Sequence, residues 1–276
     1  MKTLSWPDGV LSGFRLVARR PLAALSWALV FIVGGTILAG FQVAAWQGFA
    51  AGRSLSDVAV PLGFGGLVLD VLTTTVASAA VLRATIRPDD RRAAWPRLGG
   101  GELRLLVLVA PVTVMSIVIA APIGIFLLAR VLEPGPLATS LALHLAAVML
   151  TAAGARLALA APATLADGRL RLARALGPSR KLHVRLATLF VAALLLSMAV
   201  EWAGSWARDA LGLAQPPVLR ASSLAAALNT AFGPVAMASR VFGGLVHALA
   251  FAVQVGPIGY AFHRLTEGPA DRADVF

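Results

Sequence analysis

The chain contains no cysteine, which excludes disulfides, thiolate metal sites and a cysteine nucleophile. Charge is scarce too: Asp, Glu, Lys and Arg make up 13% of the 276 residues, against about 25% in an ordinary soluble domain. A water-soluble globule is thereby excluded. Acidic residues are the scarcer sign, with 13 Asp and Glu facing 24 Lys and Arg. Lysine is nearly missing, since Lys2 and Lys181 are the only two. The Arg, Ala, Gly and Leu excess that replaces it reads as a G+C-rich, bacterial coding sequence. Catalytic spacings are absent as well. There is no glycine-rich phosphate loop, no His-Glu-x-x-His, no G-x-S-x-G elbow and no acidic pair on one helix face. The expectation is a protein with no catalytic residue, no cofactor and no metal site, and so not an enzyme.

What remains is apolar. Hydrophobic residues make up 58% of the chain, the mean hydropathy is +0.81 and the sequence pI is near 11.7. That combination predicts a polytopic membrane protein with its few charges in loops: an all-α transmembrane helix bundle, one domain over residues 1–276, of about six spans plus short interfacial helices.

A spanning helix needs about 20 apolar residues, and six runs qualify: 21–45, 61–82, 105–129, 137–163, 186–206 and 241–262. Trp27 and Trp46 mark the ends of the first, whose charged leader is too long and apolar run too extended for a cleaved signal peptide. The second carries Gly63, Gly65, Gly66 and Asp70; the third contains Pro111 and Pro122, which a membrane helix tolerates when neighbours satisfy the freed carbonyls. His144, Gly154 and Arg156 lie in the fourth, and Glu201, Trp202 and Trp206 end the fifth. In the sixth, Gly244, Ala248 and Ala252 form a small-residue stripe suited to close helix contact. Residues 221–231 are apolar but too short to span, which predicts a re-entrant or interfacial helix; a merged span would have to cross Gly233, Pro234 and Arg240.

Lys and Arg near span ends set orientation. With six spans, one side collects nineteen basic and eight acidic residues and the other five of each. The whole +11 surplus falls on one face, which predicts a bacterial inner-membrane protein with both termini cytoplasmic.

Two basic segments go beyond topology. Within residues 1–20, Val10, Leu11, Phe14 and Val17 recur at helical spacing with Arg15, Arg19 and Arg20 off that stripe and Asp8 available as an N-cap. This predicts a helix lying in the interface. The loop 168–185 interleaves leucines with Arg169, Arg171, Arg174, Arg180 and Lys181. Such clusters bind anionic headgroups at about 1 kcal/mol per basic residue. The predicted partner is anionic phospholipid on the cytoplasmic face, with passive anchoring the plainer reading and nucleic acid excluded.

Ionisable residues inside spans are functional hypotheses by default. Asp70 is the deepest, about 13 Å below the outer end of its span. Arg156, about 10 Å from the inner end of the fourth span, either snorkels to the interface or reaches Asp70. Glu201 and Arg240 sit near the outer surface and are predicted to pair, and His144 and His247, each alone on an apolar helix, suit hydrogen-bonded packing.

The chain resembles a group of uncharacterised six-helix integral membrane proteins of alphaproteobacteria, distantly similar to the membrane domain of glycerophosphodiester phosphodiesterases. The resembling stretches are Phe14-Arg15 with Arg19-Arg20-Pro21, Val81-Leu82-Arg83-Ala84 with Arg87-Pro88-Asp89-Asp90, Arg97-Leu98-Gly99, Glu102-Leu103-Arg104, Arg156-Leu157 with Ala161-Pro162-Ala163, and Ala175-Leu176 with Ser179-Arg180-Lys181-Leu182. They cover the chain to about residue 190. Where that family has Ser-Trp-x-Leu-Thr-x-Gly before the fifth span, this chain has Ser179-Arg180-Lys181-Leu182-His183. The resemblance implies a membrane bundle and no catalytic residue, because the phosphodiesterase barrel has no counterpart in these residues.

These readings converge on a membrane-organising or accessory protein, with other membrane proteins or further copies of itself as partners. The alternative is a small-solute or ion transporter using Asp70 and Arg156. A membrane-embedded lipid enzyme is the third class, and no acid-base pair supports it.

Overall fold

The computed structural model describes residues 5–111, 147–149, 151–152, 154–155, 157–170 and 180–266. Among these the chain is all-α. Two short helices, α1 (Trp6–Val10) and α2 (Ser12–Arg19), precede the long α3 (Pro21–Ala50) and α4 (Leu55–Ile86). A 3₁₀ turn at Arg91–Ala94 follows, then α5 (Ala160–Asp167), α6 (Arg180–Ala210), α7 (Leu224–Phe232) and α8 (Pro234–Thr266).

Four stretches are long and apolar enough to cross a membrane: Pro21–Ala50, Ser56–Ile86, Leu182–Ala210 and Leu224–Thr266. They correspond to the runs 21–45, 61–82, 186–206 and 241–262. Most of the run 105–129 and about half of the run 137–163 fall outside the described residues. Each helix overruns its apolar core, because hydropathy marks the hydrocarbon layer while helical hydrogen bonding continues into the headgroup zone. Thus α4 begins before Pro61, with the Ser54 hydroxyl accepting a bond from the Asp57 amide at 3.2 Å. Pro61 is accommodated inside the helix rather than starting it. Residues 221–231 form most of α7, whose Ala227 and Ala231 pack on Ala39 and Val43 of α3.

The outward faces are apolar, as a lipid-facing surface requires and a water-facing one does not. On α4, Val60, Phe64, Val68 and Leu72 recur every four residues and are all exposed. Leu22, Leu25, Leu29 and Val33, three or four residues apart, form a like exposed row along α3.

The last helix, α8, touches every other labelled helix. Its expected small-residue stripe explains how: Gly244, Ala248 and Ala252 are all buried, and the row continues through Gly256. A Cβ on Gly244 would lie 3.2 Å from the Ala28 carbonyl of α3. Trp27, Ala28, Ala80, Leu82, Ala248 and Phe251 make the core between α3, α4 and α8. Leu159, Ala163, Leu186, Leu189 and Phe262 make a second among α5, α6 and α8.

In the N-terminal segment the inward face is Gly9, Val10, Gly13 and Leu16, which shares only Val10 with the expected stripe. Gly13 sits so close to α8 that an added Cβ would lie 2.5 Å from Val253 Cα, and Gly256 returns the contact on Gly13. Bare backbone allows this approach, so α2 docks on α8 and leaves Leu11 exposed. Asp8 is likewise not the N-cap of the second helix. It lies in the first turn of α1 and pairs with Arg15 at 2.6 Å.

Candidate functional site: a basic cleft and a charged groove

Hairpin geometry gathers the ends of the helices into two layers. The start of α3 and the ends of α4 and α8 meet at one end of the bundle, where most arginines cluster. The other end holds the turn between α3 and α4 and the segment from α6 to α7.

At the basic end, α1, α2, α4 and α8 enclose a cleft of about 1060 Å³. Arg15, Arg19, Arg20 and Arg264 line it, against the carboxylates of Asp8 and Asp89. Their commitments differ. Arg15 donates to Asp8 at 2.6 Å, and that bond holds the Asp8 carboxyl below its ordinary value. Arg20 donates to the carbonyls of Asp90 at 3.1 Å and Pro88, closing the turn after α4. Arg264 lies 5.5 Å over the Tyr260 ring. The Tyr260 hydroxyl is buried without a hydrogen-bond partner among the described residues. Arg19 is exposed and makes no described ion pair or hydrogen bond. Two arginines thus hold the cleft together, and two face it with donors to spare.

Three of the eight headgroup candidates, Arg15, Arg19 and Arg20, are therefore in this cleft. Arg169 is exposed at the end of α5, outside the cleft lining. Arg180 and Lys181 open α6, with their side chains outside the described residues, as are Arg171 and Arg174. Sequence reasoning missed Arg264, a basic residue in the last turn of α8. Its signal was its position flanking an apolar run, the same one that singled out Arg19 and Arg20.

The second feature is a groove of about 330 Å³ between α3, α4, α6 and α8. Asp70 enters it from α4 and Arg208 from α6; Ser239, Arg240 and His247 enter from α8. Gly34, Gly35, Gly66, Gly243 and Gly244 leave it open where larger residues would close it. Asp70 is the sixteenth of the 32 residues of α4, halfway along the helix. Its carboxylate has no hydrogen bond or ion pair among the described residues. Arg156 and His144 lie outside them, so the expected reach of Arg156 to Asp70 does too.

The expected Glu201–Arg240 pair is replaced by two other arrangements. Glu201 Oε1 lies 2.6 Å from His247 Nδ1, and the Phe31 ring meets the imidazole edge-on at 4.4 Å. His247 thus makes the hydrogen-bonded packing contact expected of it. Arg240 reaches back over the Gly233–Pro234 break, donating to the Ala231 carbonyl and lying 5.5 Å from the Phe232 ring centre. It supplies the donor that the C-terminal carbonyls of α7 lack. Depth alone had suggested the wrong partner, because equal depth does not mean facing sides of two helices. Arg208 Nε is buried with no hydrogen bond among the described residues, and Asp209 Oδ1 is 3.9 Å away.

Comparison of the chain with family models, curated proteins and solved structures finds no match in any of the three.

Proposed function

We propose that the protein is a non-catalytic, membrane-organising protein that holds anionic phospholipid headgroups in its basic cleft. The carrying observation is one of continuity. Leu22 lines the cleft and is also the first member of the exposed apolar stripe of α3. A phosphate accepting hydrogen bonds from Arg19 and Arg264 would therefore lie above acyl chains running along Leu22, Leu25 and Leu29. Guanidinium groups suit this role because their donors match phosphate oxygens in pairs. The orientation that goes with the proposal puts the basic end in the cytoplasm of a bacterial inner membrane, where anionic lipid attracts it.

The test compares wild type with the double variant Arg19→Gln/Arg264→Gln in nanodiscs of phosphatidylglycerol and of phosphatidylcholine. Retention of co-purified phosphatidylglycerol should fall at least fivefold in the variant, with phosphatidylcholine retention unchanged. Equal lipid selectivity in the two proteins sinks the proposal.

A further inference from the structure

The groove at mid-bundle shows a different pattern of charge. Of its ionisable side chains, Arg240 is engaged by the Ala231 carbonyl and the Phe232 ring. His247 is engaged by Glu201. That leaves one carboxylate, Asp70, and one guanidinium, Arg208, lining the same space with no described ion pair between them; Arg208 has only the 3.9 Å contact with Asp209, and its buried Nε has no acceptor among the described residues. In a low-dielectric layer, opposite charges that share a cavity normally find each other. The fold keeps these apart. Gly34 lies against Thr73 of α4, with an added Cβ 2.8 Å from its methyl group, and Gly66 lies against Leu38, which fixes Asp70 beside the α3 wall. Gly204, one turn before Arg208, lies against Val246 of α8, which fixes Arg208 on the opposite side.

We propose that the groove binds a small zwitterion, with its ammonium group on Asp70 and its acidic group on Arg208. A ligand with a positive charge alone would leave the buried Arg208 Nε without an acceptor, and one with a negative charge alone would leave Asp70 without a partner, each a cost in an apolar layer. Only a molecule carrying both charges satisfies the pair at once. The groove volume lies at the low end of the range of about 300–1000 Å³ for small-molecule pockets, which selects something of amino-acid size. Ser239, lining the space, adds a hydroxyl to orient it. Thr73 spends its proton on the Leu69 and Asp70 carbonyls and so presents an acceptor. The Phe31 ring at the inner end suits an apolar or cationic part of the ligand.

The experiment measures thermal stabilisation and calorimetric binding with the full chain in phosphatidylcholine nanodiscs. The probes are L-leucine and γ-aminobutyrate as zwitterions, with n-butylamine and butyrate as their single-charge counterparts. At least one zwitterion should bind saturably and at least tenfold more tightly than either single-charge probe. Asp70→Asn and Arg208→Gln should each weaken it tenfold or more, while Arg208→Lys weakens it less. The Arg19→Gln/Arg264→Gln variant should bind it as the wild type does, so failure of the lipid reading would not be mistaken for failure of this one. Variants are compared only when helical circular dichroism matches wild type; if Asp70→Asn does not fold, the uncharged Asp70→Ser takes its place with the same expectation. Absence of binding by both zwitterions, equal binding of the single-charge probes, or indifference to both substitutions overturns the proposal.

Discussion

Arg83 of α4 and Glu102 form an ion pair whose side chains are only 5% and 4% exposed. The remaining donors of Arg83 reach the carbonyls of Ala93 at 3.1 Å and Trp95 at 3.2 Å, while Trp27 Nε1 donates to the Ala94 carbonyl at 2.7 Å. The turn after α4 is therefore clamped to two long helices by buried polar contacts. Removing one member of such a pair strands the other charge, which costs about 3–5 kcal/mol, whereas replacing both by apolar groups is often neutral. Glu102→Gln should lower unfolding stability in nanodiscs by about 3 kcal/mol. Arg83→Met/Glu102→Leu should recover most of that loss; a double variant as weak as the single one would show that the pair is not the clamp.

The contact of Gly13 with α8 gives a second expectation. A side chain at that position meets backbone, which cannot rotate away, so Gly13→Val should cost about 1–3 kcal/mol through overpacking. The expected consequence is detachment of α2, read as faster tryptic cleavage at Arg15 and Arg19. Gly35→Ala, at a glycine with nothing within 4 Å of an added Cβ, should leave cleavage unchanged.

Asp8 supplies a pH dependence with a definite sign. Its carboxyl is held below the ordinary 3.8, chiefly by the hydrogen bond from Arg15. A depressed folded-state value contributes stability above the unfolded value and loses it as pH falls through the folded one. The α1–α2 contact should therefore hold at neutral pH and loosen only under acid, and salt should screen it because both groups are partly exposed. A carboxyl NMR titration should show Asp8 moving up toward its ordinary value in Arg15→Gln; an unmoved titration would disprove the assignment.

Arg240 should matter to α7 rather than to charge balance. Arg240→Met leaves the Ala231 carbonyl without its donor, at a cost of about 1–3 kcal/mol, and frees the end of α7. Hydrogen exchange of the α7 amides should accelerate about tenfold in that variant, with α4 amides unchanged. Uniform acceleration along the chain would argue against a local cap.

Hydropathy made the four long helices and the α8 stripe legible, because both follow from residue size and polarity along a single helix. Relations between helices were harder to read. Glu201 and Arg240 share a depth, yet His247 takes the carboxylate, since depth says nothing about which side of a helix a residue occupies. The docking face of α2 escaped notice because glycine adds nothing to a hydrophobic stripe while permitting the closest approach. Arg83 and Glu102 fall just outside the apolar runs 61–82 and 105–129, and only the fold shows that the loop turns inward. Of the cleft arginines, three were visible from the N-terminal pattern, whereas Arg264 reaches them from residues about 250 positions later.

Because α8 is the shared partner of every other labelled helix, and the last of them in the chain, the bundle has an order of assembly built into it. Translation delivers α1 to α7 before the surface that joins them exists. Until α8 inserts, Gly13 lacks the backbone it packs on, and the α3–α4 and α1–α6 contacts stand without the helix that joins them. A chain cut short before residue 234 would thus hold its helices in separate groups with no common partner, the kind of product that proteases remove.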